Sequence, residues 1–344
     1  MRSLADPLTY EASDSPPFSQ QRAGDDPRPR KLSPSVAKGL SLSRKLSEGL
    51  RLFREYQENS RTGYDLDLIF ADIDEYNELV ERYAGRSLSN ARTFEIGFGA
   101  RPYRQVVMQS MGVQCYGVDA EVPVLRGHPV EFYAMLWRNG VERAAKTLIR
   151  HLAFDRSERS MLRSAMSRRG LVPKLDRSRL IITDVAKLQL APASLDLVVS
   201  EDVFEHIGRA TLTQLIPRIA SWLRPDGLAL IRPNIFTGIT GGHLLEWSGA
   251  SMRRAHFKRR SDPWEHLRRR RFRANTYLNE MTRAEYRNLF RSEFHIVEER
   301  VRRPDLGREY VSNEVRRDLM NWSDDELFSN QTLFVLRPRH DAIL

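Results

Sequence analysis

The sequence predicts an α/β protein: an open, mostly parallel sheet of seven strands with helices on both faces and helical insertions. Three observations carry this. Short apolar strands alternate with amphipathic helical segments, the pattern of a sheet whose strands are joined by crossover helices. Three of the strands run directly into an acid, at Asp119, Asp184 and Glu201. The first strand runs into Gly97 and Gly99, residues that let a backbone turn tightly and approach a ligand without a Cβ in the way.

Taken in order, residues 1–45 hold six prolines among Ser, Asp and Arg with no lasting apolar period, which predicts a disordered extension. Residues 46–64 follow as a linker; the apolar spacing from Leu42 to Tyr56 predicts a short amphipathic helix across this junction. A helix is predicted from Leu66 to Tyr83, where Ile69, Ile73, Tyr76, Val80 and Tyr83 recur at three and four. The domain proper is expected over 65–340. Its strands are predicted at Thr93–Ile96, Val113–Val118, Leu180–Thr183, Leu195–Ser200, Leu228–Ile231, Phe294–Val301 and Thr332–Leu336. Helices are predicted at 103–111, at 211–223 and, from the capping box of Thr282 and Glu285, at 283–291. Arg224-Pro-Asp-Gly227 reads as a turn before the fifth strand. Two stretches, about 122–178 and 235–280, are too long for single crossovers. They read as insertions at the carboxyl edge of the sheet, where ligands bind.

Composition narrows the class further. The chain has 344 residues, 41% hydrophobic and 29% charged, with a net charge of +10. Such a chain can bury a core without staples, and its single cysteine, Cys115, excludes an intrachain disulfide or a cysteine-built metal site. No apolar run approaches the length of a membrane span, and the N-terminus lacks the apolar stretch of a secretion signal, so the expected compartment is the cytoplasm. Of the 55 basic residues seven are lysines and 48 arginines, a bias that suits anion binding or a charged, solvated surface.

The chemistry is concentrated at the strand ends. Glu95, Gly97 and Gly99 close the first strand; Asp119 closes the next, 24 residues after Glu95, where an acid accepts hydrogen bonds from two ribose hydroxyls. The pair predicts a nucleoside cofactor. A dinucleotide site would carry a third glycine three residues after Gly99, where this chain has Pro102, and proline leaves the loop short of the N–H groups a pyrophosphate needs.

These residues resemble the class I S-adenosylmethionine-dependent methyltransferases, in their small-molecule branch, over about residues 65–336. Glu95-Ile-Gly97-Phe-Gly99 resembles the family's first motif, facing the methionine part of the cofactor, and Asp119 its ribose-binding acid. Thr183-Asp184-Val185 resembles the third strand end, where the aspartate and the following N–H meet the adenine. Ser194 to Ile207, ending in Glu205-His206-Ile207, resembles the fourth strand and the loop that borders the methyl donor, with Glu201 on that loop. Leu223-Arg-Pro-Asp-Gly227 resembles the turn into the fifth strand. The resemblance implies a Rossmann-like class I fold and S-adenosylmethionine as cofactor. It also implies that Glu95, Gly97, Gly99, Asp119, Asp184, Val185 and Glu201 contact that cofactor.

The acceptor side is open to several readings. His206 and His243 follow the fourth and fifth strands and are the candidate catalytic residues, since an imidazole can take a proton from an alcohol. Helix packing is the alternative for His206. His243, Glu246 and His266 were weighed as metal ligands, because His-x-x-Glu can share a helical face, but the spacing is common and no metal is assigned. The basic runs of 253–273, with Trp264 and Phe272 among them, could track RNA, hold an anionic small molecule, or form a salt-bridged face. The leading expectation is O-methylation of a small-molecule or glycan-type acceptor, anionic in one version. Its rivals are RNA methylation and a non-catalytic scaffold that keeps the fold.

Overall fold

The computed structural model describes residues 64–252, 259–271, 274 and 276–339. The extension, linker and short helix expected before residue 64, and the basic cluster at 253–258, lie outside them. The described strands are β1 (Arg92–Ile96), β2 (Gln114–Asp119), β3 (Leu180–Ile182), β4 (Leu195–Glu201), β5 (Leu223–Arg232), β6 (Phe294–Val301) and β7 (Thr332–Pro338). They form one sheet in the order β3-β2-β1-β4-β5-β7-β6. β7 runs antiparallel to β5 and β6, and the pairings among β1 to β5 are parallel. The seven strands fall where the apolar runs placed them, to within a residue or two at most ends.

The central strands are buried on both faces, so their alternating side chains feed two cores. Phe94, Ile96, Val198, Ala229 and Phe334 point to a core covered by helices α6 (Arg209–Trp222) and α7 (Arg283–Arg291). Cys115, Leu197, Val199, Leu230 and Val335 point to the other core, beneath α1 (Tyr64–Ala84), α2 (Tyr103–Ser110) and α5 (Arg156–Arg168). The capping box predicted for α7 is present: Thr282 accepts from the N–H of Glu285, whose carboxylate accepts from the N–H of Thr282.

One local expectation is corrected. Residues 224–227 do not form a separate turn but belong to β5, as an outward excursion of it. Leu195 pairs with Leu223 and Leu197 with Leu228, so two steps along β4 face five along β5. Proline and glycine still put the chain out to solvent there, and Arg224 and Asp226 sit beside Asp196 and Arg86.

The first insertion folds as α3 (Pro129–Asn139), α4 (Val141–Arg150) and α5, with a wider π-type turn at His151–Asp155 joining the last two. It is anchored to the glycine loop. Arg101 pairs with Glu158 of α5, and Ala100 packs with Val124 and Met135. The second insertion has a small core of its own, in which Ile239, Trp247 and Trp264 meet Val315, Leu319 and Phe328.

Candidate functional site

The strand order reverses between β1 and β4, and the crevice beyond the carboxyl ends of these strands is where an open α/β sheet binds its ligand. Gly97 and Gly99 lie in this crevice with φ of +84° and +70°, in the left-handed region where glycine carries no penalty. The two glycines serve different ends. A Cβ on Gly97 would overlap the side chain of Val203, so the loop after β4 packs directly on the glycine loop. A Cβ on Gly99 would meet nothing within 4 Å, so its outer face is open to a ligand.

Asp119, at the end of β2, is tied to the same loop. Its carboxylate accepts the N–H of Gly99 and that of Glu121, each at 2.7 Å. Burial pushes its pKa up to about 6, against the pull of those two N–H groups. Gly97 donates to the carbonyl of Val118 at 2.8 Å, which completes the link between the ends of β1 and β2. The structure thus brings Gly97, Gly99 and Asp119 together.

The other expected cofactor residues are placed differently. Asp184 is exposed and accepts the N–H of Ala186 at 2.9 Å, capping the short turn that contains Val185. Thr183 donates to the carbonyl of Asp119, so this turn borders the same crevice edge. Glu95 is buried and spends its carboxylate on Arg104 (2.8 Å) and Gln105 (2.9 Å). Glu201 is buried as well, accepting from Tyr76 (2.8 Å) and Arg232 (3.0 Å). Both carboxylates belong to an ionic network in which Asp72 and Glu75 of α1 also meet Arg104, Arg232, Arg300 and Arg302. Within the chain, Glu95 and Glu201 fasten α1 across the sheet end.

Two residues beyond Val203 in the same loop begins a second group. Glu205 is buried, and neither carboxylate oxygen has a hydrogen-bond partner. The backbone N–H groups of Glu205 and Asn234 face it without reaching hydrogen-bond geometry, and burial, with the Asp202 carboxylate nearby, pushes its pKa well up. His206 Nε2 lies 3.9 Å and His243 Nε2 3.7 Å from Glu205 Oε1, and the two imidazoles meet edge to face with centroids 5.0 Å apart. Both rings are partly exposed above the buried carboxylate. His206 Nδ1 lies 2.9 Å from the carbonyl of Tyr277, so Nδ1 carries a proton and Nε2 is the nitrogen turned to Glu205. Burial, with His206 and His266 nearby, lowers the His243 pKa to about 4, so that ring is neutral at physiological pH.

The sequence explains how these groups meet. Asn279 donates to the carbonyls of Phe204 and Ile207 and receives the Glu205 carbonyl on its own N–H, clamping the Glu205–His206 turn. Across from it, Gly241 and Gly242 let the chain fold back: a Cβ on Gly241 would strike the carbonyls of Ile235 and Phe236, and one on Gly242 the ring of His266, 2.5 Å away. His243 then follows in the left-handed region, with φ +49°, and Asp202 has φ +53°. Non-glycine residues held there are uncommon and gather at functional sites.

Sequence spacing grouped His243 with Glu246 and His266, and the structure separates them. Glu246 accepts from the N–H groups of Arg260 and Ser261, and His266 Nε2 bonds to the carbonyl of Phe236. The residue that sequence reasoning passed over is Glu205; the signal was the Glu-His pair itself, in which attention went to the histidine. In the basic run, three of the described arginines are matched by acids, Arg268 with Glu314 and Asp318, Arg269 with Glu314 and Asp262, and Arg271 with Asp262 and Glu265, while Arg259 lies over the rings of Trp247 and Tyr310.

Residues 139–231 match the family described as "Methyltransferase domain". No curated protein matches the chain. Among solved structures, a Pyrococcus horikoshii protein is 14% identical over 78% of this chain and 90% of its own, with a TM-score of 0.40. A Burkholderia thailandensis 1,6-didemethyltoxoflavin-N1-methyltransferase, solved with 1,6-didemethyltoxoflavin and S-adenosylhomocysteine, is 14% identical over 88% of this chain and 92% of its own, TM-score 0.39. A Haemonchus contortus phosphoethanolamine N-methyltransferase, solved with S-adenosyl-L-methionine, is 17% identical over 78% of this chain and 53% of its own, TM-score 0.38.

A sheet of this order, with a glycine loop at its switch point and an acid closing β2, defines a Rossmann-like cofactor-binding protein. The part of the chain that matches the methyltransferase domain family, residues 139–231, runs from the end of α3 through β5.

Proposed function

We propose that the protein transfers the methyl group of S-adenosylmethionine to an oxygen of a small-molecule or glycan-type acceptor. The observation that carries this is the contact of Gly97 with Val203. It brings the loop that carries Glu205 and His206 against the glycine loop, which supports a donor and an acceptor meeting there. The donor would lie along Gly97 and Gly99, with its ribose hydroxyls on Asp119 and its adenine by Asp184 and Val185. Glu95 and Glu201 would fix the loops that hold it rather than touch it through their carboxylates. Methyl transfer needs the acceptor lone pair in line with the sulfonium methyl, so most of the acceleration comes from holding the two in place.

The acceptor's proton must also leave, and the partly exposed His206 and His243 would either take it themselves or hold a group that favours its loss to solvent. The insertions at about 122–178 and 235–280 would close over the acceptor. Among the described residues no helix is long and apolar enough to cross a membrane, and the buried Cys115 suits the reducing cytoplasm. An RNA acceptor is less favoured, because Arg268, Arg269 and Arg271 of the basic run are already paired with carboxylates.

Calorimetric titration with S-adenosylmethionine and S-adenosylhomocysteine tests the cofactor half. Micromolar binding that disappears in Asp119→Ala is the expected result, and unchanged binding in that variant would remove the proposal's support. The acceptor half is tested by screening acidic sugars, nucleotide-linked sugars and RNA for methyl incorporation.

A further inference from the structure

We propose that Glu205, His206 and His243 form a binding site for a divalent first-row metal ion. One ligand atom from each residue can be chosen so that all lie within 4.8 Å of one another. A metal about 2.0–2.2 Å from each would set them roughly 3–3.5 Å apart, so the observed 3.7 and 3.9 Å separations need to close by less than about 1 Å, and that between the two imidazoles, within 4.8 Å, by up to about 2 Å. Two imidazoles and one carboxylate are a donor set that suits the range from manganese and iron to zinc, and such a set leaves coordination positions open.

Three further features set this trio apart from a chance cluster. Glu205 is 3% exposed, yet both of its carboxylate oxygens lack a hydrogen-bond partner, whereas buried polar atoms are nearly always paired. His206 is oriented by its Nδ1–H bond to the Tyr277 carbonyl, the outer support that metal-binding histidines show, and this fixes the tautomer that leaves Nε2 free to ligate. His243 is held in place by a left-handed backbone and by two glycines that close contacts require. The Asn234 amide, 3.3 Å from His243 Nε2, is the contact an ion would replace.

Only the role of the ion rests on the proposed function. With both rings partly exposed, the open positions face the side from which the acceptor approaches, and a bound cation would favour loss of the acceptor's hydroxyl proton as a Lewis acid. His206 and His243 then act as neutral ligands, and the proton passes to solvent.

The test is titration of the full-length chain with Mn²⁺ followed by electron paramagnetic resonance, and with Zn²⁺ by calorimetry, in the wild type and in Glu205→Gln, His206→Gln and His243→Gln. One ion per chain is expected, weakened about 100-fold or more in each variant, because losing a ligand exceeds the 10- to 100-fold that outer partners are worth. Circular dichroism identifies any variant that fails to fold, and the remaining two carry the comparison. Absence of stoichiometric binding in the wild type, or binding that all folded variants retain, overturns the proposal. S-adenosylmethionine titrated into the same samples keeps the two claims separate. Its failure to bind while Mn²⁺ does sinks the cofactor reading alone, and the reverse sinks the metal site alone.

Discussion

Glu201 and Glu205 stand four residues apart at the end of the same strand, both buried, and they are treated in opposite ways. Glu201 is answered by the guanidinium of Arg232 and the hydroxyl of Tyr76, within a network that fastens α1 over the sheet. Glu205 faces two imidazoles, and neither of its oxygens has a hydrogen-bond partner. A buried carboxylate with partners inside the fold contributes to structure, and one without them is costly unless something from outside completes it. The difference separates anchoring from ligand binding within one short loop.

The largest effect expected is on the anchored side. Arg232 meets Glu201, Asp72 and Glu75, so Arg232→Met leaves three acids facing one another in a nearly dry site. Breaking a buried ion pair from one side costs about 3–5 kcal/mol. Urea denaturation should show a loss of that order; a loss below about 1 kcal/mol would mean that water reaches the network. Tyr76→Phe should cost less, about 1.5–3 kcal/mol, the range for a hydrogen bond to a charged group. The same denaturation assay checks it.

Asp119 lies between the two extremes, answered by two N–H groups but raised to about 6. In the proposed role its ionised form would accept the ribose hydroxyls, and that form prevails above the raised pKa. S-adenosylmethionine binding should therefore be strongest above pH 7 and weaken as pH falls through 6, approaching tenfold per unit, or about 1.4 kcal/mol. Calorimetry between pH 5 and 8 measures this, and a flat profile would show that another group carries the ribose.

Much of the donor side was legible in the sequence. Short apolar strands ending in acids and alternating with helical segments predict the sheet, and the Gly97–Gly99 pair with Asp119 predicts the crevice, because these depend on local residue pattern. The excursion at 224–227 was anticipated as a turn, since Pro225 and Gly227 mark a break in the backbone but not whether pairing resumes on both sides of it. The acceptor side was legible only in its residue types. His-x-x-Glu spacing placed His243 with Glu246 on a helix that does not form there. The left-handed backbone at His243 and the fold-back at Gly241 and Gly242 send it to Glu205 instead, 38 residues earlier. That encounter depends on the packing of His266 and Asn279, which no local pattern announces.

The smallest effect, and the sharpest test of the comparison, is expected at Glu205 itself. With no cation present, burial favours the protonated carboxyl, which is close in shape and polarity to a carboxamide. Glu205→Gln should therefore change the stability of the metal-free protein by less than about 1 kcal/mol, because no partnered group is lost. Glu201→Gln, by contrast, should lose stability through Arg232. Urea denaturation of the two variants in the presence of a chelator makes the comparison direct. If they lose stability equally, Glu205 has an internal partner and is a second anchor. If only Glu201→Gln loses it, the strand end holds one carboxylate for the fold and one for a ligand, and added Mn²⁺ should then stabilise the wild type but not Glu205→Gln, by mass action on the folded state.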